Sequence, residues 1–97
     1  MDTPDEVIHQ STRLRITAAL NALRKGEALE FSDIKKMLGV TDGNMATHIS
    51  ALEGAGYVAV HKDFIGKKPR TRIALTATGR KAFTSHVSYL RNLLETE

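Results

Sequence analysis

Ninety-seven residues, 41% of them hydrophobic and 26% charged, fit a single globular domain over residues 1–97 with one modest core. The absence of cysteine excludes disulfides, thiolate metal sites and cysteine nucleophiles, and no apolar run reaches the ~20 residues of a membrane-spanning helix. A net charge of +3 favours an anionic partner only mildly, so where the charges fall matters more than their sum.

The opening Met1-Asp2-Thr3-Pro4-Asp5-Glu6 is acidic and lacks the pattern of a signal peptide, which leads us to expect a cytoplasmic protein. Val7 and Ile8 either extend the first helix backwards or pack separately. Ile16, Leu20 and Leu23 recur at i, i+4 and i+7, one face of a helix that Ser11 or Thr12 can cap and Gly26 breaks. Residues 27–31 alternate like a short strand. Ser32 then reads as the N-cap of a second helix, with Asp33 in its first turn and Ile34, Met37 and Leu38 as its apolar face. Gly39 ends it.

A third helix over residues 41–53 starts from Thr41 as cap and turns Met45, Ile49 and Leu52 inward. Two short helices joined by a tight glycine-containing turn form a helix-turn-helix. Alternation from Tyr57 to Phe64 and again from Arg70 to Leu75, around a turn with Gly66 and Pro69, predicts a β-hairpin over about 57–75. Thr76 can cap a last helix over about 76–95. Phe83, Val87, Leu90 and Leu94 form one apolar stripe on it, and Ala82, His86, Tyr89 and Leu93 a second. That breadth exceeds what one small core requires, so the first stripe is expected to bury against a second copy in a homodimer. The other possibility is that the helix folds back over helix one. The fold class is mainly α with a small hairpin (α+β), a winged helix-turn-helix.

The core stripe of helix three leaves Gly43, Asn44, Thr47, Ser50 and Ala51 facing away, with His48 at the flank. A solvent-facing helix would usually carry lysines and glutamates, whereas small polar groups suit close approach to a surface offering hydrogen bonds. Asn44 can pair with both adenine N6 and N7, and Thr47 with a phosphate or a thymine methyl. His48 fits phosphate contact and partial packing equally. Lys62, Lys67, Lys68, Arg70 and Arg72 place five of the fourteen Lys and Arg residues within one short stretch, opposed only by Asp63. We take Gly66-Lys67-Lys68-Pro69-Arg70 as the hairpin tip, with Lys62 and Arg72 on its stems. Such a loop can release counterions from phosphates.

The order helix, strand, helix-turn-helix, basic hairpin and long helix resembles the winged-helix transcriptional regulators of the MarR and ArsR type. The stretch from Thr41 to Val58 is similar to their recognition helix and its turn into the wing, including the sequence polar residue, His48, Ile49, Leu52 and Gly56-Tyr57. Leu75-Thr76-Ala77-Thr78-Gly79-Arg80 resembles the segment that opens the helix after the wing in MarR-like proteins. The resemblance runs over residues 7–94. It implies sequence-specific binding of double-stranded DNA, with residues 41–53 in the major groove, the wing on backbone or minor groove, and a homodimer formed by terminal helices. Carried over by position, Asn44, Thr47, His48 and Ser50 belong to the recognition helix and Lys62, Lys67, Lys68, Arg70 and Arg72 to the wing. A cysteine metal sensor of the ArsR type cannot exist here, and the chain is shorter than a typical MarR-type protein.

Catalysis is not expected. His9, His48, His61 and His86 lack paired ligand spacing, Asp42 and Asp63 have no evident acid–base partner, and no serine sits in a nucleophile elbow. No cofactor or metal is expected, although His9 or His86 could in principle meet a metal across a dimer. No effector is indicated. The competing function is a winged-helix module that binds protein instead of DNA.

Overall fold

The computed structural model describes residues 3–95. Residues 6–9 form a turn before α1, Ser11–Asn21, so Val7 and Ile8 pack separately instead of extending the helix. Ile8 is fully buried there. Gln10, not Ser11 or Thr12, caps α1, its side-chain carbonyl accepting the Arg13 N–H at 2.9 Å. Ile16, Thr17 and Leu20 face inward, and the buried Thr17 hydroxyl turns back to the carbonyls of Arg13 and Leu14.

The short strand β1, Ala28–Glu30, runs straight into α2, Phe31–Leu38. Glu30 therefore stands at the N-cap, without a side-chain cap bond, and Ser32 lies inside the helix where the sequence placed it at the start. The cause is long-range: pairing of Glu30 with Arg72 holds Glu30 extended until the helix begins. Ile34 and Leu38 are buried, but Met37 is 57% exposed, on the rim of the face to which the sequence assigned it. Gly39 closes α2 at φ 69°, a left-handed conformation that glycine adopts without a Cβ penalty.

Thr41 caps α3, Asp42–Gly54, accepting the Asn44 N–H on its hydroxyl at 3.1 Å. Across the turn, Lys35 of α2 meets Asp42 at 2.8 Å. Two eight-residue strands follow, β2, Val58–Ile65, and β3, Lys68–Leu75, before α4, Ala77–Glu95. The sheet has the order β1-β3-β2 and is antiparallel throughout. Ile16, Leu20, Ile34, Leu38, Met45, Ile49, Leu52, Val58, Ile73 and Leu75 make the one core, to which α1, α2, α3 and the sheet all contribute. None of the described helices is long and apolar enough to cross a membrane.

Thr76 caps α4 as expected, accepting the Gly79 N–H at 2.9 Å while donating to the Gly56 carbonyl at 2.7 Å. Arg80 reaches across to the carbonyl and side chain of Asn21, fastening the start of α4 to the end of α1. In α4 only Gly79 and His86 are buried. Phe83, Val87 and Leu90 are half-buried, and Leu93 and Leu94 are 58% and 84% exposed.

Candidate nucleic-acid interface

The inward line of Met45, Ile49 and Leu52 fixes how α3 is rotated, and its other side is open. Gly43, Asn44, Ala46, Thr47 and Ser50 are exposed, while Ala51, expected outward, is half-buried. The Thr47 hydroxyl donates to the Gly43 carbonyl at 2.9 Å, which leaves its methyl and its acceptor lone pairs to face a partner. His48 is half-buried at the flank, and Arg13 donates to its Nδ1 at 3.1 Å. Burial and then the neighbouring Arg13 charge lower the His48 pKa, favouring the uncharged ring that accepts from Arg13. Arg13 also donates to the Val7 carbonyl, tying the N-terminal turn, α1 and α3 together. Arg13 escaped the sequence reading because an arginine on α1 has no spacing relation to His48.

The hairpin is tighter than its sequence implied. Ile65 pairs with Lys68, so Gly66 and Lys67 alone make the turn. Gly66 at φ 63°, with no positive φ at Lys67, gives the pattern of a type II′ turn, matched to the twist of the strands. Pro69 and Arg70, read as tip residues, belong to β3. Pro69 follows the bonded pair that closes the turn, so its missing N–H lies on the side away from β2, beyond the reach of β1.

Register then sorts the cations by face, because side chains alternate along a strand. Val58, Val60, Lys62 and Phe64 share one face with Leu75, Ile73, Thr71 and Pro69, and this face enters the core at its base. Further out, a cleft between α3 and the hairpin is lined by Ser50, Glu53, Val60, Lys62 and Thr71. The Ala46 and Ser50 edge of the open side of α3 and this face of the wing thus meet in one groove. The opposite face carries His61, Asp63 and Ile65 against Arg72, Arg70 and Lys68. There Arg70 grips Asp63 with two bonds of 2.9 and 2.7 Å, and Arg72 adds a third at 3.3 Å. The bonds from Arg70 dominate in holding the Asp63 carboxyl below 3.8, and they raise the Arg70 pKa in turn. The structure therefore brings Ser50 and Lys62 together in one cleft, leaves Asn44 and Thr47 exposed on α3 outside it, puts Lys67 at the turn, and turns Arg70 and Arg72 toward Asp63. Lys62, Lys67 and Lys68 form no ion pair among the described residues.

A sequence model of the winged helix DNA-binding domain matches residues 12–94. The chain belongs to that family. This winged-helix chain is 34% identical over 82 residues to an uncharacterized protein of Methanocaldococcus jannaschii, covering 84% of this chain and 86% of the relative. Among solved structures it resembles a transcriptional regulator homologue from Pyrococcus horikoshii at a TM-score of 0.76 and 32% identity, over 95% of this chain and 91% of that one. The transcriptional repressor BigR from Xylella fastidiosa shares the fold at a TM-score of 0.66 and 13% identity, over 95% and 83% of the two chains. The four helices and three-stranded antiparallel sheet of the described residues are those of a winged helix-turn-helix, as the sequence led us to expect.

Proposed function

We propose that the protein is a sequence-specific, double-stranded DNA-binding transcriptional regulator that performs no chemistry and acts as a homodimer in the cytoplasm. The observation that carries this reading is the shared groove: Ala46 and Ser50 at the edge of the small exposed face of α3 line one cleft with Val60 and Lys62 of the wing. The family and the similarity to a regulator homologue from Pyrococcus horikoshii support it. In this reading α3 enters the major groove, with Asn44 bonding a base edge and Thr47 and Ser50 in close contact. Lys62, Lys67 and Lys68 take phosphates. His48, anchored by Arg13, positions the helix and does not carry charge to the backbone. Arg70 and Arg72 contribute once Asp63 lets them go.

Phe83, Val87, Leu90 and Leu94 on α4 would bury against the same helix of a second copy. A two-fold pair would hold its recognition helices about 34–36 Å apart, facing a pseudo-palindrome. Selection from random duplex DNA tests binding and site together, with enrichment of a two-fold-related motif as the expected result. Enrichment of nothing, with no mobility shift at low salt, would remove the DNA reading and favour a protein-binding module. Sedimentation of a monomer at micromolar concentration would remove the dimer alone.

A further inference from the structure

We propose that the tip of the wing is a wedge, in which Phe64, backed by Pro69, enters a base step of the minor groove and bends the duplex. The proposal rests on the DNA-binding reading above and adds a deformation of DNA that phosphate contacts alone do not produce. Phe64 is 70% exposed and Ile65 59%, two consecutive large apolar side chains that no other part of the described chain covers. Phe64 pairs directly with the exposed Pro69, so an aromatic ring and a rigid pyrrolidine stand side by side at the end of the hairpin.

The fold delivers this pair to the right place. β1 pairs with β3 only as far as Arg72, so beyond it the hairpin is a bare two-stranded ribbon. Phe64 and Pro69 lie on the face that carries Val60, Lys62 and Thr71 into the groove shared with α3. A duplex seated on α3 therefore meets Phe64 and not the opposite face of the ribbon.

Charge selects DNA as the occupant. Lys67 at the turn and Lys62 on the same face border the apolar pair, neither in an ion pair among the described residues, and the Asp63 carboxylate on the opposite face is held by Arg70 and Arg72. An apolar pair bordered by cations suits stacked bases bordered by phosphates. Phenylalanine, isoleucine and proline are among the residues that unstack base steps from the minor groove, kinking DNA by about 20–90°. Gly66 at the turn adds no side chain to obstruct the approach.

The test uses the full chain and the strongest duplex recovered by selection, extended to about 40 base pairs, enough to read a bend against a persistence length of ~150. Energy transfer between its end labels reports bending, and titration reports affinity. Wild type should shorten the end-to-end distance. Phe64→Ser should abolish the shortening and weaken binding roughly 10-fold, about the loss of one stacked base. Phe64→Leu, which keeps an apolar wedge, should retain most of the bend, and equal melting temperatures confirm that all three fold. A bend unchanged in Phe64→Ser, or tight wild-type binding to straight DNA, overturns the wedge and leaves the DNA reading intact. Failure of wild type to bind any duplex overturns both.

Discussion

The Cβ that Gly79 lacks would lie 2.0 Å from the carbonyl oxygen of Tyr57. The first turn of α4 is pressed onto the link between α3 and β2, and Thr76 completes the joint by donating its N–H to that same carbonyl at 3.0 Å. Leu75 Cδ1, at 2.9 Å, can swing aside, but the nearest obstruction is backbone, which cannot. Gly79→Ala should cost about 3 kcal/mol, at the upper end for forcing one carbon into a packed site. For a domain this size that lowers Tm by roughly 12–24 °C, since each kcal/mol shifts it about 4–8 °C. Urea and thermal unfolding check it, and Gly54→Ala, where an added Cβ meets nothing within 4 Å, is the control.

A polar cluster ties the N-terminal turn to α4, and acid should loosen it. The Asp5 N–H donates to His86 Nδ1 at 3.1 Å, and the Tyr57 hydroxyl donates to the Asp5 carboxylate at 2.6 Å. The rings of His9 and Tyr89 close around His86, at centroid distances of 5.3 and 5.7 Å. Burial and then His9 depress the His86 pKa below 6.5, with Asp5 opposing them. Burial raises the Asp5 carboxyl, but the bond from Tyr57 and those from the Ile8 and Val7 amides outweigh it and hold the carboxyl below 3.8. The same bond pushes Tyr57 up to about 12. Both His86 and Asp5 are easier to protonate in the unfolded chain, so each favours folding at neutral pH and that contribution is lost as pH falls. Tm should therefore drop as pH goes from 7.5 toward 5, beginning near 6.5. His86→Gln should show a shallower drop, with a remainder from His48, whose shift has the same sign. Parallel curves for variant and wild type would exclude His86 as a source of the acid sensitivity.

The shape of the candidate site was legible where local spacing decides it. Met45, Ile49 and Leu52 at helical intervals fixed the rotation of α3, and with it the exposure of Asn44, Thr47 and Ser50. Thr41 and Gly39 marked helix ends through bonds to neighbours only a few residues away. What depended on distant partners was not legible. Glu30 is held extended by pairing with Arg72, which displaced the expected cap at Ser32. In the wing, a turn read as spanning Gly66 to Arg70 hid the register, and register alone shows that Asp63, Arg70 and Arg72 share a face while Lys62 does not. Composition counted five cations there; pairing leaves three of them without an ion-pair partner among the described residues.

Two substitutions separate reading from anchoring. Lys67→Ala with Lys68→Ala should weaken every duplex alike and flatten the log–log salt slope by about 1.8, from two contacts at ~0.9 each. Asn44→Ala should leave that slope unchanged and relax preference at one base position, costing about 1–3 kcal/mol there. Competition binding over the selected site and its single-base variants distinguishes them. A uniform loss for Asn44→Ala would assign it to the backbone.

Asp63 should act as a brake on affinity. Its carboxylate occupies the fork of Arg70 and one arm of Arg72, and bidentate pairing is the geometry in which an arginine is least available to a phosphate. Asp63→Ala would free both guanidinium groups on a wing that already carries three cations outside ion pairs, and removal of the carboxylate raises the local charge by one. Because the pair sits at the surface, stability should change little. Binding should instead tighten for all sequences, with a steeper salt dependence, so that discrimination between specific and random DNA narrows. Titrations of both duplexes over a range of salt measure this. A weaker, equally salt-dependent variant would show that Asp63 orders the wing for binding, and that Arg70 and Arg72 are struts and not reserve cations.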